Sequence, residues 1–309
     1  VTTFVYVPFV ASLVVAGLSR TAGRQVWPRA AAWATTIAAA ALAASTVGAL
    51  AVLACPVPAQ VPVVAAVGRW RPGAISSHLP VPAWLSLLAV AALLGLAYRA
   101  ARQGRLLIDD VRALVVAHRQ LAGCRHGDLV VTTVDAPHAY ALPGLGCRGA
   151  VVVSSGMLAL LDDAERAAVL AHERSHLRHH HALFELVVRV AVALNPLVIS
   201  LEHDVRFALE RWADEDAAAA TERPVAASAL ARAALGTLGA TQPVRRFPRL
   251  ALHSHWTTAR VAALLDPPQR RVRPVWLLVV AAVLAALALG WALHDTERFF
   301  EAARLWSHR

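Results

Sequence analysis

The chain has 309 residues, 58% of them hydrophobic and only 16% charged, with a mean hydropathy of +0.53. An ordinary soluble domain is about 45–50% apolar and about 25% charged, so this composition excludes a single domain of that kind and points to membrane spans. The net charge is +10 and all 30 basic residues are Arg, but these sit in loops beside apolar runs, so membrane topology accounts for them and no direct nucleic-acid binding is expected.

From the N-terminus, residues 1–18 form an uncharged apolar run. It has no basic n-region and is followed by Arg20, Arg24 and Arg29, so it reads as a retained span. Residues 30–54 and 80–98 are two further runs, and 274–294 is a fourth. Each is close to the roughly 20 residues that a span needs. The Arg-rich flanks at 19–29, 99–105 and 270–273 are expected on the cytoplasmic side, because positive charge is retained there. The chain thus divides into three spans within 1–98, a cytoplasmic domain at 99–273, a fourth span at 274–294 and a short extracytoplasmic tail at 295–309. The tail is expected to be an amphipathic helix with Phe299, Phe300 and Trp306 on its apolar side. Cys55, Cys124 and Cys147 form no CxxC pair, so neither a disulfide framework nor a thiolate zinc site is expected.

Within the cytoplasmic domain, 105–121 carries apolar residues at helical spacing and continues the third span. The β-branched runs at 129–134 and 150–154, with 139–142 between them and Pro143, Gly144 and Gly146 as turn signals, predict a small sheet of about three strands. Asp162 with Glu165 three residues on predicts a capping box that opens a helix. A hydrophobic helix follows at about 182–194, buried or at the membrane surface. Glu185 and Arg189 in it are spaced to pair. Asn195-Pro196 then opens a further helix, which carries Glu202, Glu210, Asp214, Glu215 and Asp216.

Residues 172–176 read His-Glu-Arg-Ser-His, inside the capped helix. Two imidazoles four apart share a helix face and can bind one metal ion, and Glu173 beside them is placed to act on a water at that ion. A catalytic zinc takes three protein ligands and keeps one position open. Glu210 is the chosen third ligand, and Asp214, one turn on, is placed to accept from a ligand imidazole. Glu202, His203, Asp204, Glu215 and Asp216 compete with them, and a solvated acidic face is the plain alternative. A metzincin pattern requires Gly at 179 and His at 182, where the chain has His179 and Ala182. His179, His180 and His181 read as solvated histidines at a helix end, and Arg206 as a weak candidate for an oxyanion donor.

The stretch AVVVSSGMLALLDDAERAAVLAHERSHLRHHH resembles the core of the integral-membrane gluzincins. ALNPLVISLEHDVRFALERWADEDA resembles the second zinc-ligand helix of the BlaR/MecR-type membrane metallopeptidases, and its Glu-x-x-Ala-Asp form is shared with HtpX and CAAX-protease-type enzymes. The resemblance covers about 100–240. It implies a mainly α membrane protein, four transmembrane helices with an inserted cytoplasmic α+β zinc peptidase domain. It implies Zn2+ held by His172, His176 and Glu210, Glu173 as general base and Asp214 behind a ligand imidazole. The implied substrate is a cytoplasmic protein, such as a DNA-binding repressor. The alternatives are an HtpX/CAAX-type processing or quality-control peptidase and a non-catalytic zinc-binding scaffold. The sequence runs only 15 residues past position 294, without the penicillin-binding domain of the BlaR/MecR receptors, so it is not expected to be a β-lactam receptor by itself.

Overall fold

A computed structural model describes residues 4–22, 27–57, 60–68, 81–121, 125–144, 149–238, 256–266, 279–280, 282–291, 293–294 and 297. Cys124, Cys147 and the tail beyond 297 lie outside the described residues, as does part of the 274–294 run. The fold is mainly helical with one small sheet.

The N-terminal part holds α1 (Val7–Ala22), α2 (Pro28–Ala54) and the short α3 (Pro62–Gly68), followed by the 39-residue α4 (Ala83–Leu121). Pro28 opens α2 at a position where its missing N–H costs nothing. α4 runs unbroken from the apolar 83–98 stretch into the following polar part, which is the continuation that the sequence predicts. Among the described residues, α2 and α4 are the two helices long and apolar enough to cross a membrane. The apolar parts of the first and fourth predicted spans are, among the described residues, the shorter helices Phe4–Gly17 and Ala282–Trp291, and 274–278 lie outside the described residues. Large apolar side chains stand exposed on these helices, among them Leu13, Trp33, Trp84, Leu87, Leu94, Tyr98, Leu284 and Trp291. Exposed apolar surface of this extent marks an interaction face.

The sheet has four strands in the order β1-β2-β4-β3: β1 Arg125–His126, β2 Leu129–Thr132, β3 Ala139–Leu142 and β4 Ala150–Ser154. The sequence reading missed β1, whose two residues are too short for any periodicity. It forms a hairpin with β2 around Gly127, whose φ of 67° suits a residue without Cβ. β2 and β4 pair in parallel, and β3 pairs antiparallel to β4 as an edge strand. β4 is buried along its whole length, which explains its unbroken Val run.

Six helices follow the sheet before the Ala282–Trp291 stretch: α5 (Ser155–Leu160), α6 (Asp163–Arg178), α7 (His181–Leu194), α8 (Ile199–Ala220), α9 (Arg223–Leu238) and α10 (Thr257–Leu265). The largest core joins Ala32, Ala38 and Leu42 of α2 to Val188 and Val192 of α7 and to Leu201, Val205 and Leu209 of α8. The Ala-rich face of α2 lets these helices approach closely. The first half of α2 is therefore built into the same core as the HExxH-proximal helices. α7 is half-buried: Phe184 and Val188 face this core, while Leu183, Val187 and Val190 are exposed.

Asn195 closes α7 and is fully buried. Its side chain accepts from Leu197 N (3.2 Å), capping a 3-10 turn at Pro196–Val198 before α8 begins. Its amide donates to Ser12 Oγ of α1 (2.9 Å) and Thr46 Oγ1 of α2 (3.0 Å), with Leu42 O at 3.4 Å. Arg189 donates to the backbone oxygen of Glu185 and pairs with Asp110 of α4 at 3.1 Å.

Candidate metal centre

α6 starts where the sequence places it. Asp162 Oδ1 accepts from Glu165 N (2.8 Å), and Glu165 Oε2 accepts from Asp162 N (3.2 Å), a complete capping box. The helix is anchored at mid-length by Arg174, whose guanidinium makes two bonds, 2.7 and 3.1 Å, to Asp128 in the β1–β2 turn.

From this helix His172 and His176 project side by side, their Nε2 atoms 3.3 Å apart. α8 packs across α6 and supplies Glu210, only 3% exposed. Its carboxylate oxygens lie 3.5 Å from His172 Nε2 and 3.6 Å from His176 Nε2. Two ligands of one tetrahedral zinc, with bonds of about 2.0–2.1 Å, stand about 3.3 Å apart, so these separations fit a shared ion. Among the described residues this is the one cluster of three such side chains whose donor atoms all lie within 4.8 Å.

Asp214 lies behind His172, with Oδ1 3.1 Å from Nδ1. In neutral His172 that contact keeps the proton on Nδ1 and leaves the Nε2 lone pair facing the cluster. Burial works against a charged His172, but hydrogen bonds to Asp214 and Glu210 override it and raise its pKa to about 10. A metal ion arriving at Nε2 therefore competes with a proton.

Two buried carboxylates need a counter-charge, and the sequence reading did not find it. It is Arg260 of α10, 2% exposed. Its Nε and one terminal nitrogen grip Asp214 at 2.7 and 2.6 Å, and the other terminal nitrogen lies 2.8 Å from Glu210 Oε2. Burial opposes its charge, yet Glu210 and Asp214 hold it more firmly protonated than usual, and Glu173 is close enough to add to this. The same pairing lowers the pKa of Asp214 against the opposing effect of its burial. The available signal was a lone Arg in the otherwise uncharged helix Thr257–Leu265.

Of the three histidines after the motif, His180 is exposed as expected, but His179 and His181 are not simply solvated. His180 adopts the left-handed conformation (φ 52°, ψ 44°) just past the end of α6 and reverses the chain. His181 is thereby folded back, 2% exposed, with Nδ1 2.9 Å from His176 Nδ1. Burial pushes the His181 pKa down to about 3, so it is neutral and can accept the His176 Nδ1 proton. His179 donates to Asp216 (2.9 Å), which also accepts from Ser175 Oγ (2.8 Å), and it stacks on Trp212. The other acidic candidates are engaged elsewhere. Glu202 pairs with Arg206 (2.8 Å) and Glu215 with Arg223 (2.6 Å), while His203 is exposed.

The site is thus an HExxH helix crossed by a Glu-bearing helix beside a small mixed sheet, the layout of a metallopeptidase centre. Residues 109–246 match the model of Peptidase family M48, a span that holds the sheet, α6 and α8 and stops short of Arg260. The chain is 34% identical over 77 residues to a plastoglobule-localized metallopeptidase 48 of Arabidopsis thaliana, covering 25% of this chain and 22% of the relative. It is 45% identical over 49 residues to a protease HtpX homolog of Acidiphilium cryptum, covering 16% and 17% of the two chains. With the HtpX homolog of Methanothermobacter thermautotrophicus the figures are 32% over 88 residues, 28% and 33%. The matched stretches thus span no more than about a third of each of these relatives. No solved structure matches the chain. Two of these three relatives are HtpX homologs, and none of the three bears a BlaR/MecR name.

Proposed function

We propose that this chain is a membrane-embedded zinc endopeptidase of HtpX-like character, with its site on the cytoplasmic side of the bilayer. The observation that carries the reading is the convergence of His172, His176 and Glu210, with Glu173 beside them on α6 and Asp214 and Arg260 behind. Bound zinc supplies Lewis acidity, acidifying a water and polarising a carbonyl oxygen. His172, His176 and Glu210 would hold the ion. Asp214 sets the His172 tautomer, and Arg260 fixes both carboxylates. Glu173 takes a proton from the attacking water and passes it to the leaving amine nitrogen. The edge strand β3 packs against α6, so an extended peptide that adds to the sheet at this edge would lie beside the site.

The test is purified chain with zinc, assayed on a fluorogenic peptide mixture. Glu173→Gln should retain zinc and lose about 10²–10⁴-fold in kcat, whereas His172→Ala should lose both metal and activity. Undiminished cleavage by the Glu173→Gln protein would sink the mechanism. The substrate is a membrane or membrane-associated protein in the HtpX-like reading. The BlaR/MecR-like stretch at 193–217 supports a narrower alternative, cleavage of a DNA-binding repressor. Proteomic comparison of cells carrying wild-type and Glu173→Gln protein separates them: broad accumulation of membrane proteins supports the first, and one intact repressor supports the second.

A further inference from the structure

Away from the metal centre, α4, α7 and α8 border a half-open cavity of about 320 Å³ lined by Arg99, Arg102, Gln103, Arg189, Glu202 and Arg206, with Arg99 and Arg102 exposed and Val192 and Ala193 on its α7 wall. Each helix presents one face to it: residues 99, 102 and 103 from α4, 189, 192 and 193 from α7, and 202 and 206 from α8. Two of the four guanidiniums are matched by carboxylates, Arg189 by Asp110 and Arg206 by Glu202. The other two are not. Arg99 donates only to the last-turn carbonyls of Val192 and Ala193, both at 3.3 Å, and Arg102 has no ion-pair partner among the described residues. Arg206 Nε and Gln103 Nε2 are buried donors without a hydrogen-bond partner. The cavity therefore has surplus positive charge and unmet donors, which an anion with several oxygens would satisfy.

Its position says which anion. Arg99 is the first charge after the uncharged 80–98 stretch of the chain. Leu88, Ala92 and Gly95 lie 11, 7 and 4 residues before Arg99, on the same face of α4. All three are exposed, and a Cβ at Gly95 would meet nothing within 4 Å. An open apolar strip thus leads along α4 to the arginine cavity. That is the complement of a molecule with an anionic head and a hydrocarbon tail, and a free phosphate or an acidic peptide has no use for the strip.

We propose that this cavity is a binding site for the phosphate headgroup of an anionic phospholipid whose acyl chain lies on the Leu88–Ala92–Gly95 strip. Basic pockets between helices at the end of an apolar segment recognise such headgroups by charge and hydrogen bonding together. The lipid would tie α4 to α7 and α8, and so join the bilayer to the helix that carries Glu210.

The experiment uses the full chain in nanodiscs of phosphatidylcholine alone or with phosphatidylglycerol. Retained lipid is read by native mass spectrometry and thermal unfolding is followed in parallel. The wild type should retain phosphatidylglycerol at least tenfold over phosphatidylcholine and melt at a higher temperature in its presence. Arg102→Gln alone should weaken that preference and Arg99→Gln with Arg102→Gln should abolish it, both melting like wild type in phosphatidylcholine alone. Arg112→Gln with Arg119→Gln, further along α4, should leave the preference intact. An equal preference in the Arg99/Arg102 variant overturns the proposal. So does full protection by inorganic phosphate without lipid, which marks a free-anion site. Retention of an acidic peptide in place of phosphatidylglycerol also overturns it. Recovery of the chain from detergent-free buffer without any bilayer is a separate failure, that of the membrane reading itself.

Discussion

At the scale of single residues, the HExxH pattern names three side chains, and the structure shows what orients them. His172 is oriented by Asp214 and His176 by His181. An imidazole holding a metal through one nitrogen normally has its other nitrogen engaged, and removing that partner typically costs 10–100-fold in affinity. His181→Phe keeps the buried ring and loses the acceptor. It should bind zinc roughly 10–100-fold more weakly in a chelator competition, with an unchanged far-ultraviolet circular dichroism spectrum. His181→Asn, which restores an acceptor oxygen, should recover part of the loss, whereas His179→Phe should have little effect. Equal zinc affinities for His181→Phe and wild type would mean that His181 is only a packing residue. Glu173, His172 and His176 were legible because one helical turn fixes their relation. Arg260 was not, because nothing local ties it to a motif 84–88 residues earlier in the chain.

At the scale of elements, α6 is held at its start as well as at its motif. Glu165, 4% exposed, caps the helix and is also gripped from α9: it accepts from Ser228 Oγ (2.6 Å) and pairs with Arg232 (2.9 Å). Burial opposes its charge, but Ser228, the Asp162 amide and Arg232 outweigh this and hold its carboxyl below the ordinary 4.5. As pH falls, the unfolded chain therefore takes up this proton before the folded chain does. The contribution is complete above about pH 5 and is lost as pH drops below 4.5 through the folded value. Glu165→Gln should melt roughly 2–4 °C below wild type at pH 7, with the gap closing as the pH falls below about 4.5. A gap that stays constant over that range would show that the charge of Glu165 contributes nothing. The capping box was legible from Asp162 and Glu165 alone, because a cap is a local contact. The α9 clamp was not, since Ser228 and Arg232 reach Glu165 only through the packing of α9 against α6.

At the scale of the whole molecule, the apolar helices α1 and α2 share one core with α7 and with α8, the helix that carries Glu210, and Asn195 is its polar node. It joins α1, α2 and the α7–α8 junction through buried hydrogen bonds. Asn195→Leu is similar in size but leaves Ser12, Thr46 and the Leu197 amide without these bonds. It should destabilise the chain in detergent by about 2–3 kcal/mol and disturb zinc affinity, because α8 carries Glu210. A melting temperature within about 1 °C of wild type would show that packing alone holds the junction. From sequence, Asn195 and Pro196 are a helix start. Their long-range bonds to residues 149 and 183 positions earlier are set by how α2 nests between α7 and α8.

The sequence by itself determined the helical character of the chain, its apolar segments, the capped α6 and the pairing of Glu210 with Asp214 on a later helix. Each of these depends on periodicity or on spacing within a turn or two, which the chain carries locally. Only the tertiary structure decided that β1 pairs with β2 and that His181 turns back onto His176. It also decided that Arg260 neutralises two buried carboxylates and that α4, α7 and α8 border an arginine-lined cavity. The hairpin and the His181 reversal are local turns, set by Gly127 and by His180 in the left-handed conformation, that no periodicity announces. Arg260 and the arginine-lined cavity follow from elements meeting across long sequence separations, where burial forces each charge and hydrogen-bonding group to find a partner that no local pattern names.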